Sequence, residues 1–251
     1  MNTMNGTLIP VDTKNDMNIS EAYRLVYPYK RISIETQKDL TEITERILPI
    51  KEEIENYSMF DSFDVILYSL RYLRDNASID FTHLMFVDCM SYCGAASFYA
   101  ASYEFKTVLG IEFNKQAYEK AEEIKETMFP NMMVNTSLNF EWGSFQDFFL
   151  YEADVVYLDC TQVGPDSMID EGVLLHNLFF PLCKKLLSGS HLIIVTSIMT
   201  LHTKDCMKLG LFYECIAHKA VDLHNSNYTT EYKDRFPRHL WILRVYNHSH
   251  K

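Results

Sequence analysis

Three acidic residues follow short apolar runs, at positions from which a carboxylate can bind a polar ligand. Asp88 ends the run LMFVD, Glu112 ends TVLGIE, and Asp159 ends ADVVYLD. A carboxylate accepts hydrogen bonds from hydroxyl and amino groups and stabilises a nearby positive charge. The three residues are therefore candidate ligand-binding groups if the runs end at one edge of the same sheet.

The segment DCMSYCG, which starts at Asp88, predicts a turn between a strand and a helix. Glycine is the usual residue where such a loop turns sharply or approaches a ligand closely, and here only Gly94 is a glycine. It is followed by Ala95, Ala96 and Ser97, a small-residue helix start whose free backbone N–H groups could face a ligand. So crowded a loop is poorly suited to a diphosphate, and it favours a nucleoside ligand without phosphates.

Glu112 stands 24 positions after Asp88, at the end of the second apolar run. A carboxylate at about this distance accepts hydrogen bonds from the ribose hydroxyls in nucleotide-binding folds. The alternative is an acid that stabilises the start of the next helix through the helix dipole. The neighbouring run and loop favour ribose binding.

Two further segments would reach the same rim of the sheet. In WGSFQDFF, Ser144 or Asp147 could accept a hydrogen bond from an adenine amino group and Phe145 could stack on the ring, although aromatic residues in such a run are equally typical of a core. In DCTQV, Asp159 and the nearby Thr161 would face the reacting end of the ligand, and we predict that they are the catalytic pair. The alternative for Asp159 is a strand-end acid that caps the next turn.

The elements that must position these residues form a predicted α/β fold with a doubly wound, mostly parallel sheet. After residue 76, short apolar runs alternate with longer amphipathic ones, which is typical of parallel strands covered by helices on both faces. The last two runs, LFYECIAH and HLWILRVY, have no helical pattern between them, so we expect an antiparallel pair at the sheet edge. Ligands of such sheets bind at the carboxyl ends of the strands.

Ahead of this sheet the sequence predicts a helical region. We divide the chain into a polar, disordered N-terminus (1–18), a helical lead (19–75) and a Rossmann-like domain (76–251). In the lead, apolar residues recur at helical spacing as far as Pro49, which is predicted to break or kink the helix. Within the domain, the helix EGVLLHNLFFPLCKKLL is predicted to end at Ser188 and Gly189.

Charge limits the partners that we expect. The net charge is −11, but the part from Cys183 onward has ten Lys/Arg and five Asp/Glu, a balance of +5, and the preceding 182 residues have a balance of −16. An acidic chain is repelled by phosphates, so direct nucleic-acid binding is expected to be weak or absent. An acidic partner would meet the C-terminal third.

The composition limits the cellular compartments in which we expect the protein. No apolar run approaches the roughly 18 residues of a membrane helix, and the N-terminus lacks a signal-peptide pattern, so we expect an intracellular protein with no membrane partner. The six cysteines are then expected to be reduced. They show one loose pair only, which predicts no metal site.

These segments, in this order, resemble the motifs of class I S-adenosylmethionine-dependent methyltransferases. FVDCMSYCGA stands at the place of the first motif, GIEFNKQAYEKA at that of the ribose-binding acidic loop, GSFQDF at that of the adenine loop, and ADVVYLDCTQV at that of the catalytic rim. Within that superfamily the chain is most similar to the disruptor-of-telomeric-silencing family, the histone-lysine methyltransferases that lack a SET domain. The similarity spans residues 58–197.

The resemblance implies a Rossmann-like methyltransferase fold, with a mostly parallel seven-stranded sheet and an antiparallel C-terminal strand, and S-adenosyl-L-methionine as cofactor. It implies cofactor contacts from the four motifs and from the SMFDSFDVI segment, namely Asp61, Asp88, Ser91, Gly94, Glu112, Ser144, Phe145, Asp147 and Asp159. Met90 and Tyr92 replace two glycines of the first motif. Tyr92 is predicted to fill the space of the methionine moiety unless its ring turns out.

The function implied by the resemblance is methylation of a protein lysine, with a histone in the nucleosome as substrate and the nucleus as compartment. Phe60, Tyr157 and Trp241 are expected to line the lysine channel. Other hypotheses stay open, namely a catalytically weak or inactive methyltransferase-fold binding protein, or a methyltransferase with a non-histone substrate, which could act in the cytoplasm. A dehydrogenase is disfavoured by the loop and by the terminal strand pair.

Overall fold

The computed structural model describes residues 34–57, 63–148, 150, 152–162, 170–196, 201, 212–221 and 238–246. Within them lie seven strands, which are β1 (Met85–Cys89), β2 (Thr107–Glu112), β3 (Ser137–Trp142), β4 (Val155–Asp159), β5 (His191–Thr196), β6 (Phe212–Val221) and β7 (Arg238–Tyr246). They form one sheet with the order β3-β2-β1-β4-β5-β7-β6. The five strands β1 to β5 are parallel to one another, whereas β7 runs antiparallel to both β5 and β6.

The helices alternate with the strands as the sequence pattern predicts. They are α1 (Ile34–Tyr57), α2 (Phe63–Asn76), α3 (Ala95–Ser102), α4 (Lys115–Thr127), α5 (Glu171–Val173) and α6 (Phe180–Cys183), with a π-helical segment, Leu174–Phe179, joining the last two. The predicted fold class is confirmed, including the parallel sheet, the reversed C-terminal strand and the helices ahead of β1. The domain boundaries stay a prediction.

Both faces of the sheet are covered, because successive residues of a strand point to opposite faces. In β1, Phe86 belongs to an apolar cluster that includes residues of α1 to α4, which we call the α1–α4 core. Its neighbour Val87 belongs to a second cluster with Phe179 and Phe180, which we call the α5–α6 core. The two cores explain why β1, β4 and β5 are buried on both faces, whereas β3 at the sheet edge alternates between buried and exposed residues.

Two helix ends differ from the sequence prediction. Helix α1 is not broken at Pro49 but continues to Tyr57. Ile47, Ile50 and Ile54 are each 0–1% exposed, and this continuous buried face outweighs the one backbone hydrogen bond that proline removes.

The second difference concerns the helix before β5, which ends at Cys183 and not at Ser188 and Gly189. Its last turn tightens, since the Lys185 N–H donates to the Leu182 carbonyl at 3.2 Å and the Leu186 N–H donates to the Cys183 carbonyl at 2.9 Å. Bonds between residues three apart are typical of a helix end.

The last two strands form the predicted antiparallel pair, with a register irregularity between Cys215 and Ala217. Strand β6 is at the sheet edge, and β7 fills the position between β5 and β6. None of the helices in the described ranges is long and apolar enough to cross a membrane.

Candidate functional site

The three predicted acidic residues meet at the carboxyl edge of the sheet. Asp88 lies opposite Gly110 of β2 and Tyr157 of β4. Glu112 and Asp159 are the last residues of β2 and β4. The side chains of Asp88, Glu112 and Asp159 are 1%, 3% and 2% exposed, and the charges of the other two act on Asp88. The carboxylates therefore belong to one site.

The loop after β1 has the backbone of a glycine-rich turn although it contains one glycine. Met90, Tyr92 and Gly94 have φ angles of 63°, 50° and 86°, in the left-handed region that favours glycine. The Ser91 N–H donates to the Ile111 carbonyl at 2.9 Å, and the Gly94 N–H donates to the Ser91 carbonyl at 2.8 Å. The loop thus keeps the shape that glycines at positions 90 and 92 would allow.

Met90 and Tyr92, the two residues that stand in place of glycines, have their side chains in different cores. Met90 is 9% exposed and belongs to the α5–α6 core. Tyr92 is half-buried and packs against the α1–α4 core. A left-handed conformation costs a non-glycine residue about 1–2 kcal/mol, which burial of a large apolar side chain can offset. Whether the Tyr92 ring fills the space of the methionine moiety stays a prediction.

Gly94 and Gly110 leave space for one phenylalanine, Phe140. A Cβ atom at Gly94 would lie 2.5 Å from Phe140 Cζ, and a Cβ atom at Gly110 would lie 2.4 Å from Phe140 Cδ1. Both distances are far below van der Waals contact. Phe140 of β3 thereby holds the start of α3 close to the sheet.

Glu112 fixes the loop to the end of β2. Its Oε2 accepts the Tyr92 N–H at 2.7 Å, and its Oε1 accepts the Asn114 N–H at 2.6 Å. Burial raises the pKa of this carboxyl group, and hydrogen bonds from backbone N–H groups oppose that rise. Because a carboxylate has about four acceptor sites and the N–H groups of Asn114, Tyr92 and Phe113 bind this one, about one site is left for a ligand hydroxyl.

Asp88 lies at the base of the loop and binds the first turn of α3. The Ser97 hydroxyl donates to Asp88 Oδ2 at 2.7 Å. Burial raises the pKa of Asp88 to about 7, and the hydrogen bond from Ser97 partly opposes this. A cationic group placed beside Asp88 would favour its ionised form.

Ser91 has a buried hydroxyl without a hydrogen-bond partner in the part of the chain that the structure describes. The residue is 4% exposed and lies between Met90 and Tyr92. Buried polar groups are nearly always paired, so an unpaired hydroxyl inside a ligand loop indicates a missing acceptor or donor. The loop therefore fits a polar ligand such as the one implied by the sequence.

Asp159 and Thr161 are brought together at the end of β4. The Thr161 N–H donates to Asp159 Oδ1 at 2.9 Å, and the Thr161 hydroxyl donates to the same oxygen. This contact caps the turn after the strand, which is the alternative that the sequence left open.

The predicted adenine loop lies beside the end of β3. The Ser144 hydroxyl accepts the Gln146 N–H at 3.3 Å, and Asp147 is exposed. Phe145 is 5% exposed and packs edge-on against Phe179 at a ring distance of 6.2 Å. The core interpretation of Phe145 is thus supported, and its adenine contact stays a prediction, as do those of the other two.

Other predicted residues lie elsewhere. Asp61 and Phe60 are outside the described residues. Tyr157 is 1% exposed and stacks on Phe86 at 6.5 Å, within the α1–α4 core. Within the described ranges, no group of three or more His, Cys, Asp or Glu side chains could hold a metal ion.

Sequence reasoning missed two residues that organise the site. Asn114 caps α4 by accepting the Gln116 and Ala117 N–H groups, and its own N–H binds Glu112. Its signal was an asparagine just ahead of an amphipathic run. Ser97, which binds Asp88, gives no such signal, because a serine in a small-residue helix does not reveal a long-range partner.

The strand order and the single reversed strand define the class of fold, which is the Rossmann-like fold of class I methyltransferases. A solved structure from Haemophilus influenzae, provisionally assigned as a methylase, is similar with a TM-score of 0.51 and 14% identity, over 73% of this chain and 89% of that chain. A Thermoplasma acidophilum structure has a TM-score of 0.50 at 11% identity, covering 74% and 86%. These similarities show the fold alone.

A third solved structure, a provisionally assigned methyltransferase from Escherichia coli, has a TM-score of 0.49 and 11% identity, over 74% of this chain and 88% of that chain. No protein-family model matches the chain, and no curated protein matches it either.

Proposed function

We propose that the protein is an S-adenosylmethionine-dependent methyltransferase. The observation that carries this proposal is the loop after β1, which has left-handed backbone at Met90, Tyr92 and Gly94 around the buried Ser91 hydroxyl. In open α/β sheets, ligands bind at the carboxyl ends of the strands, where this loop lies. The methylase assignment of the Haemophilus influenzae structure, which has the same fold, adds support.

The residues of the site fit the parts of this cofactor. The remaining acceptor site of Glu112 suits a ribose hydroxyl. Asp88 and Asp159 are buried carboxyl groups that can stabilise the positively charged end of the cofactor. The buried Ser91 hydroxyl is left for the methionine moiety, which we propose lies against Gly94. We further propose that Ser144 and Asp147 bind the adenine.

The cofactor supplies a methyl group on a positively charged sulfur. The contribution of the chain is to align a nucleophile with that methyl group and to exclude water from both. Asp159, oriented by Thr161, lies at the rim where the substrate would enter. We propose that these two residues position the reacting groups.

Calorimetry with S-adenosylmethionine and its demethylated product, S-adenosylhomocysteine, tests the cofactor. Ser91→Ala should weaken binding by about 0.5–1.5 kcal/mol, the net value of one hydrogen bond, without lowering the stability of the free protein. The matched control is Ser190→Ala. The Ser190 hydroxyl, just ahead of β5, already has a partner within the protein, because it donates to the Ala153 carbonyl at 3.0 Å. This control should lose stability and keep its affinity. Absence of binding at millimolar ligand would overturn the proposal.

For the substrate, we propose the lysine side chain of a protein, with nucleosomal histones as the first candidate and the nucleus as the compartment. This step rests on the sequence resemblance. The basic balance of the C-terminal third supports an acidic partner such as the nucleosome. Incubation of nucleosomes and free histones with methyl-labelled cofactor tests it. Transfer to neither removes the histone substrate and leaves a non-histone substrate to be sought.

A second candidate function is binding without catalysis. It is favoured by Met90 and Tyr92, which stand where the resembled methyltransferase motif has glycines. Cofactor binding combined with no methyl transfer to proteins, nucleosomes or a cell extract would support this function over the enzyme.

A further inference from the structure

Two histidines and a tryptophan of β6 and β7 form a cluster near the carboxyl edge. His218 Nε2 and His239 Nδ1 are 3.1 Å apart and share a hydrogen bond. The His218 ring stacks on Trp241 with centroids 3.7 Å apart and an interplanar angle of 12°. We call these three residues the imidazole–indole cluster.

The sheet register places His239 at the carboxyl edge, two strands from Asp159 and with its side chain on the other face of the sheet, the face of the α5–α6 core. Asp159 of β4 is paired with Val195 of β5, and Val195 is paired with Leu240 of β7. Neighbouring strands are about 5 Å apart, so Leu240 lies roughly 10 Å from Asp159 across the sheet. Because β7 is antiparallel, His239 is one residue closer to the carboxyl edge than Leu240, opposite Thr196.

Two buried nitrogen atoms of the cluster have no hydrogen-bond partner in the described ranges. They are His239 Nε2 and Trp241 Nε1. His239 is only 3% exposed. Buried polar groups without partners are rare in folded proteins, and two of them on one strand, two residues apart, indicate a ligand that supplies both partners. A tryptophan N–H can only donate, so one ligand atom must be an acceptor.

We propose that the imidazole–indole cluster is the substrate-binding part of the methyl-transfer site, where His239 Nε2 accepts the proton of a nitrogen nucleophile. This inference rests on the proposed function. Trp241 donates to an acceptor atom of the same substrate. His218 orients His239 and has no direct contact with the nucleophile.

The proton transfer requires one tautomer of the histidine pair. When the His239 Nδ1–H donates to His218 Nε2, the other nitrogen of His239 has a free lone pair. The nucleophile gives its proton to this nitrogen and attacks the methyl carbon, the carbon–sulfur bond breaks, and its electron pair stays on sulfur as a neutral thioether. The positive charge that was on sulfur is then on the imidazolium of His239, which His218 stabilises through their hydrogen bond.

The surroundings keep both rings neutral before the reaction. Burial lowers the pKa of His218 to about 4, and it also lowers the pKa of His239. A neutral imidazole is the form that can accept a proton.

Nitrogen-15 NMR of histidine-labelled protein tests the inference without a known substrate. One ligand is S-adenosylhomocysteine, and the other is a cofactor analogue in which an amine-bearing carbon replaces the methylated sulfur. We expect the His239 Nε2 resonance to shift toward its protonated position with the amine analogue and to stay unchanged with S-adenosylhomocysteine. Equal spectra with both bound ligands would overturn the inference while the cofactor proposal stands.

Variants give an independent readout. His239→Gln should keep the affinity for S-adenosylhomocysteine and lower the rate of methyl transfer to protein by about 10²-fold or more. His83→Gln is the matched control, because His83 is exposed and precedes β1 at the opposite edge of the sheet. If His239→Gln keeps the wild-type transfer rate, the proton-accepting role is excluded. If neither ligand binds the wild type, the proposed function and the inference both fail.

Discussion

Glu112 combines a structural contact with a proposed ligand contact. Its carboxylate binds the N–H groups of Tyr92 and Asn114, on the two loops that enclose the proposed cofactor site. A residue that bound only ribose would matter only when cofactor is present. Glu112 is therefore expected to affect the free protein as well.

We expect Glu112→Gln to lower both the free energy of unfolding and the cofactor affinity, each by about 1–3 kcal/mol. Glutamine has one acceptor oxygen, so at least one of the backbone N–H groups of Asn114, Tyr92 and Phe113 loses its partner. Denaturant unfolding and calorimetry measure the two effects. The control is Glu141→Gln, an exposed change on β3 that should leave both quantities unaltered. A loss of affinity with no loss of stability would show that the carboxylate is not needed to hold the loop.

Asp88 predicts a specific pH dependence of stability. Its pKa is raised by burial from 3.8 to about 7. Between these values the folded protein binds a proton that the unfolded chain has released, so this group makes stability fall as pH rises. Asp88→Asn removes the titration and keeps an oxygen for the Ser97 hydroxyl. Relative to wild type, it should gain up to about 1.4 kcal/mol per pH unit between about pH 4 and pH 7. Urea unfolding across this range measures the gain, and parallel stability curves would contradict the prediction.

Sequence reasoning found Asp88, Glu112 and Asp159 because the end of an apolar run can be read from residue types alone. Their hydrogen-bond partners were harder to predict. Ser97 is nine residues from Asp88, and the Tyr92 N–H is twenty residues from Glu112. Such contacts depend on how the loop folds back on the sheet, which residue types do not specify.

At the scale of the element, the loop after β1 keeps a glycine-like backbone with two large residues. Packing of Met90 in the α5–α6 core and of Tyr92 against the α1–α4 core supports it from both sides. That Tyr92 fills the space of the methionine moiety unless its ring turns out stays a prediction.

The strain in this loop can be measured by comparing glycine with alanine. Tyr92→Gly and Tyr92→Ala remove the same packing, but only alanine keeps the unfavourable φ, so the glycine variant should be more stable by about 1–2 kcal/mol. At position 90, the glycine variant should likewise be more stable than the alanine variant. The control is exposed Glu119 in α4, where alanine should be more stable than glycine by about 1 kcal/mol. Thermal and denaturant unfolding measure these differences. If alanine at position 92 equals glycine, the positive φ is not maintained in solution.

Periodicity predicted the type and order of the strands, including the last antiparallel pair, and it predicted helix ends less well. Pro49 illustrates the reason. A local rule for proline assumes that nothing else holds the helix, whereas the buried isoleucines of α1 continue on both sides of it. Tertiary packing, which sequence alone does not give, decided the outcome.

At the scale of the whole molecule, cofactor binding should stabilise the fold. A ligand that binds only the folded state raises the free energy of unfolding by about 2.7 kcal/mol at a concentration 100 times its dissociation constant. S-adenosylhomocysteine should therefore raise the unfolding temperature in a concentration-dependent manner, with adenosine diphosphate as the control ligand. A larger effect of the diphosphate would contradict the nucleoside preference that we predict from the loop.

The position of β7 has a consequence for how the molecule is made. It is the last of the seven strands in chain order, yet it lies between β5 and β6. Until β7 docks, the edges of β5 and β6 that it pairs with stay open. Unpaired strand edges promote association between chains. His239 and Trp241 arrive on that same strand. Completion of the sheet and assembly of the imidazole–indole cluster are therefore one event during synthesis, so that a chain with an open sheet edge also lacks the groups that we propose bind its substrate.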